Sequence, residues 1–190
     1  MKYIFLLTIV MLLASCASDN EIPSITSTLL NQSDSEYSII SATGTNTPMI
    51  FKLTSNGEQE SVEFWLDHYI DGKYQGKILK LQGYTDVKKK ETRLYLFSRT
   101  IDADEQTWAL SFRQDSENSI THTTLKMNNE QTSTSYYDVY PNVKIVKGYE
   151  SSIGRIVIDG DKAQRIDKNG NEETVIKKGH EVFIVKCKMI

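Results

Sequence analysis

Between Met49 and Met189 the apolar residues fall into ten short runs, and no stretch holds the 3.6-residue repeat of an amphipathic helix over three turns. The runs are 49–54, 61–70, 74–83, 92–99, 107–113, 120–127, 139–146, 153–158, 173–176 and 181–189. In the fifth, Trp108, Leu110 and Phe112 alternate with small or charged residues, the period of two of a half-buried strand. Turn formers separate the runs: Asn56-Gly57, Asp71-Gly72, Asp115-Ser116, Asn128-Asn129, Pro141-Asn142, Asp159-Gly160 and Asn169-Gly170. This punctuation predicts an all-β fold, an antiparallel β-sandwich or barrel-like meander of about 8–10 strands, and excludes a chain of βαβ units.

The Asp71-Gly72 turn makes the sharpest local prediction. A two-residue hairpin turn sets Ile70 opposite Lys73, Tyr69 opposite Tyr74, Asp67 opposite Gly76, Trp65 opposite Ile78 and Glu63 opposite Lys80. On the other face Val62 meets Leu81, Phe64 meets Leu79, Leu66 meets Lys77 and His68 meets Gln75. Val62, Phe64, Leu79 and Leu81 read as core. Trp65, Tyr69, Tyr74 and Ile78 form a second stripe bordered by Glu63, Asp67 and Lys80. Flat rings beside carboxylates suit stacking on a sugar or gripping a partner protein, so Trp65, Tyr69, Tyr74 and Asp67 are the candidate ligand- or partner-binding residues. Packing against another strand or loop is the competing reading. Tyr136, Tyr137 and Tyr140 make a second aromatic cluster with the same two readings.

The first residues have another purpose. Lys2 is followed by an apolar stretch from Tyr3 that ends in Leu13-Ala14-Ser15-Cys16, after which the chain turns polar. One early positive charge, a short apolar run and small residues at its end have the form of an export signal, and the run is too short to span a bilayer. The four residues Leu13-Ala14-Ser15-Cys16 resemble the lipobox of bacterial lipoproteins. That resemblance implies diacylglycerylation of Cys16, cleavage just before it, and a membrane contact made through the lipid. Ser18 is not the aspartate associated in that family with inner-membrane retention, so the outer membrane is the implied address where a cell has one.

The expected organisation is a signal peptide over 1–15, a lipidated Ser/Thr-rich tether over 16–47 and a single β domain over 48–190. Twelve serines or threonines lie between Ala17 and Thr47, a composition of flexible linkers. The stretch 37–42 is a candidate first edge strand.

Composition narrows the chemistry. With 22 Lys+Arg against 25 Asp+Glu, a net charge of -3 and no basic run longer than Lys88 to Lys90, the chain lacks the footprint of a nucleic-acid binder. Asp102-Ala103-Asp104-Glu105 supplies too few oxygens for calcium and reads as a solvated turn. Asp167-Lys168-Asn169-Gly170-Asn171 imitates the start of an EF-hand loop, but Glu172 replaces the required glycine and Lys178 the closing glutamate. His68, His122 and His180 stand apart with no metal-ligand spacing, and G-x-S-x-G and phosphate-loop motifs are missing. Cys187 shares a strand face with Phe183, Val185 and Met189 and reads as a core thiol. No catalytic residue, metal or cofactor is assigned. The expected function is a non-enzymatic, lipid-anchored module of the bacterial envelope, displayed outside the cytoplasmic membrane, with an envelope glycan or protein as partner. Two alternatives are a small envelope hydrolase whose acids meet only in three dimensions, and a barrel enclosing a small apolar ligand.

Overall fold

The computed structural model describes residues 24–29, 33–55, 60–85, 92–102, 105–114, 117–126, 134–140, 142–159 and 171–190. The signal and lipobox, Lys88 to Lys90, four turn dipeptides (Asn56-Gly57, Asp115-Ser116, Asn128-Asn129 and Asn169-Gly170) and most of the Asp167–Asn171 loop lie outside them. In chain order the elements are β1 (Ser24–Leu29), α1 (Ser35–Ala42), β2 (Asn46–Ser55), β3 (Glu60–Ile70), β4 (Lys73–Thr85), β5 (Thr92–Asp102) and β6 (Glu105–Gln114). They continue with β7 (Glu117–Lys126), β8 (Thr134–Val139), β9 (Val143–Val146), β10 (Glu150–Asp159), α2 (Glu172–Lys178) and β11 (Glu181–Met189). The strands form two antiparallel sheets, ordered β7-β6-β5-β2-β1-β9 and β4-β3-β11-β10-β8. An isolated parallel bridge, Lys147 to Met189, ties one to the other. The fold is the expected all-β sandwich.

The two inner faces meet in one apolar core. β6 contributes Trp108, Leu110 and Phe112, as its alternation predicts, and β11 contributes Phe183, Val185, Cys187 and Met189. Each such side chain stabilises the fold by roughly 1.5–3 kcal/mol when removed from water. On the outer face of the five-stranded sheet, Val157, Val182 and Ile184 are covered by Val175 of α2.

The structure corrects several expectations. The segment 37–42 is helical, within α1, and not an edge strand. Gly44, at φ 75°, closes that helix, with Thr43 N–H bonded to Ile40 O and Gly44 N–H to Ser41 O, the left-handed stop that glycine supplies. Arg93 and Tyr95 of β5 hold Glu36 in its first turn. Ser24–Leu29, assigned to the tether, is a strand lodged between β2 and β9. The run 173–176 belongs to α2, because Asn171 caps it by accepting Thr174 N–H at 2.9 Å while acids open and lysines close the helix. The run 139–146 splits at Asn142, φ 53°, into β8 and β9, which lie in different sheets.

Register around the Asp71-Gly72 hairpin holds at the turn and then slips. Ile70 pairs with Lys73 and Tyr69 with Tyr74, but His68 meets Gly76, Asp67 meets Lys77, Leu66 meets Ile78 and Phe64 meets Leu81. Two bulges on β4 cause the slips, one at Gln75 beside Gly76 (φ 139°) and one at Leu79 (φ 54°). Ile78 therefore packs with Leu79 against the core and not on the outer stripe.

Candidate functional site

The outer face of the five-stranded sheet collects a group of interacting polar and aromatic side chains. Trp65, Asp67 and Tyr69 lie at alternate positions of β3 and so share this face, and Tyr74 joins them across the hairpin. The indole N–H of Trp65 donates to Asp67 Oδ1 at 3.0 Å, and the Tyr74 hydroxyl donates to the same oxygen at 3.4 Å. Tyr69 and Tyr74 tilt against each other with ring centroids 5.3 Å apart. The sequence-predicted residues are thus brought together as one cluster.

Four further side chains complete it. Lys186 of β11 reaches Asp67 Oδ2 at 3.3 Å and Glu172, at the start of α2, at 3.7 Å. Lys77 of β4 places its ammonium 4.0 Å from the centroid of the Trp65 ring and 3.6 Å from Glu150 Oε1. Sequence reasoning missed all four. The pairing of β3 with β11 joins residues more than a hundred positions apart, and the bulge at Gln75 moves Lys77 opposite Asp67. The available signal was the pair Lys186 and Lys188, charges at alternate positions of β11 that follow the apolar run Val182 to Val185.

Exposure divides the cluster. Trp65 is 1% exposed and Asp67 5%, whereas Tyr74 is 52% exposed. Trp65 and Asp67 therefore support the surface, while Tyr74, with Lys77 and Glu150, presents it. Burial and then the charge of Asp67 raise the Tyr69 phenol above its ordinary pKa, and desolvation with Asp67 does the same for Tyr74. Burial opposes the charge on Lys186, but Glu172 and Asp67 outweigh it and leave that pKa raised. The site is a set of fixed donors, acceptors and ring edges, suited to holding a polar ligand.

The remaining candidates are placed differently. Tyr140 is half-buried with its ring 5.7 Å from the guanidinium of Arg155, and the side chains of Tyr136 and Tyr137 lie outside the described residues. His68 and Glu181 form a buried pair at 2.8 Å, His180 bonds Asp71 at 2.8 Å, and His122 is exposed on β7. Asp102 is exposed, opposite Glu105. Among the described residues no three His, Cys, Asp or Glu side chains are grouped to hold a metal ion. Cys187 is buried, and desolvation pushes its thiol pKa up to about 12.

Two antiparallel sheets packed around one apolar core, with a polar aromatic cluster on an outer face, define a β-sandwich domain. A family model, the YgaN domain, matches residues 28–188, and the chain belongs to that family. The match takes in β2 to β10 whole and, with them, every residue of the cluster. No curated protein and no solved structure matches the chain.

Proposed function

We propose that the protein is an exported lipoprotein of the bacterial envelope, held in a membrane by acyl chains on Cys16, whose β-sandwich acts as a non-enzymatic binding module outside the cytoplasmic membrane. The observation that carries this reading is the Leu13-Ala14-Ser15-Cys16 sequence directly after a short signal-like apolar run. A second acyl chain turns marginal membrane binding into firm anchoring. The contact surface is the face bearing Tyr69, Tyr74 and Lys77, with an envelope glycan or protein as its partner. Palmitate labelling tests the anchor: wild type should take up label and Cys16→Ala should not, and equal labelling overturns the reading.

One observation favours the hydrolase alternative, since Lys186 draws Asp67 and Glu172 towards one ammonium. The partners of Asp67 weigh against it. Trp65 and Tyr74 donate to one oxygen and Lys186 pairs with the other, so most of the carboxylate's acceptor sites are taken up by the protein's own groups. An acid buried and engaged in this way serves to position its neighbours.

A further inference from the structure

Lys77 sits on Trp65 as a ligand would. Its Cα stands opposite Asp67, two residues along β3 from Trp65, yet its ammonium passes over the ring and meets Glu150, which reaches in from the start of β10. The nearer carboxylate, Asp67, is already taken by Trp65, Tyr74 and Lys186. Lys77 and Glu150 have side chains 44% and 49% exposed, and long exposed side chains ordinarily keep their rotamer freedom. The electron-rich indole face and a carboxylate beside it supply the two attractions that an organic cation seeks. Tyr74, half exposed, shares the Asp67 Oδ1 acceptor with Trp65 and so lies beside it.

We propose that the Trp65 face and Glu150 form a binding site for a small alkylammonium ligand, and that Lys77 fills this site in the free protein as a tethered competitor. The inference deepens the binding-module reading and rests on it, but does not involve Cys16. An incoming cation replaces the Lys77 ammonium over the ring, and Lys77 moves into solvent. A quaternary ammonium fits best, because it has no N–H groups to satisfy and needs only the ring and the carboxylate. A tethered group competes at an effective concentration in the millimolar range, so the site is masked until Lys77 is displaced or removed.

The test is a titration of tryptophan emission in the detergent-solubilised full chain with tetramethylammonium chloride, against sodium chloride at matched ionic strength. Trp108, the other tryptophan, packs on Phe183 in the core between the sheets, away from Lys77, and gives a constant background. Lys77→Ala should show a saturable change and bind about tenfold more tightly than wild type. Lys77→Ala combined with Glu150→Gln should bind several-fold more weakly than Lys77→Ala alone. Far-UV circular dichroism of both variants checks that these exposed substitutions leave the fold intact. The proposal is overturned if Lys77→Ala responds no differently to the two salts, or if wild type and Lys77→Ala titrate alike. Palmitate labelling reads the anchor separately, so each idea can fail without the other.

Discussion

The imidazole of His68 stacks on the ring of Phe183 at 4.5 Å, nearly parallel, while its Nε2 lies 2.8 Å from Glu181 Oε1. Trp108, from the opposite sheet, packs on Phe183 at 4.6 Å. One buried polar pair is thereby built into a contact between the two sheets. His68→Ala leaves Glu181 without this partner in a site where both residues are buried, and such a loss costs about 1–3 kcal/mol. Urea denaturation should show a lower midpoint with an unchanged slope. In a double-mutant cycle, Glu181→Ala added to His68→Ala should cost less than the sum of the single changes.

Gly83 is required by packing. A Cβ at this position would stand 2.3 Å from Cδ1 and 2.4 Å from Cε1 of Phe112. That ring is itself confined against Phe64, at 5.6 Å between centroids. Gly83→Ala should therefore destabilise by about 1–3 kcal/mol, the usual cost of overpacking. Adding Phe112→Leu should recover part of the loss, and thermal unfolding of the three variants checks both statements.

Local patterns made the sandwich legible. The alternation of Trp108, Leu110 and Phe112 gave β6 its inner face, and Asp71-Gly72, both at positive φ, gave the hairpin its turn. What escaped was set by tertiary context or by single bulged residues. Thr43-Gly44 and Asn171 are helix-ending and helix-starting signals, but the helices they bound are too short to show a period. Gln75 and Leu79 slip the register, and no property of a glutamine or leucine announces a left-handed or bulged position. In the site, Trp65, Asp67, Tyr69 and Tyr74 were readable because they are close in sequence. Lys186, Glu172 and Glu150 were not, because long-range strand pairing brings them there.

The Cys187 thiol offers a pH test. Its pKa is raised by burial from the ordinary 9.0 to about 12. The unfolded chain therefore loses the thiol proton first as pH rises, and the folded state retains it. Stability from this group is complete below about pH 9 and declines between pH 9 and 12. Cys187→Val should flatten that part of the alkaline stability profile. In Cys16→Ala, where Cys187 is the sole thiol, a thiol reagent at pH 8 should react slowly with the native protein and rapidly after unfolding in guanidinium.

Trp65 and Tyr74 belong to one cluster but should fail in different ways when truncated. Trp65 is 1% exposed and both donates to Asp67 and carries Lys77 on its face. Trp65→Ala removes a large buried side chain and should cost about 3–5 kcal/mol, seen as a marked fall in melting temperature. Tyr74 is 52% exposed and its bond to Asp67 is long, so Tyr74→Ala should shift stability by about 1 kcal/mol or less. If this face is the contact surface, Tyr74→Ala should nonetheless abolish capture of an envelope glycan or protein partner. A screen of both variants for melting temperature and for retention on isolated envelope material distinguishes the roles. Full retention by Tyr74→Ala would remove this face from the binding function and leave the cluster as a structural cross-link between the hairpin, β11 and α2.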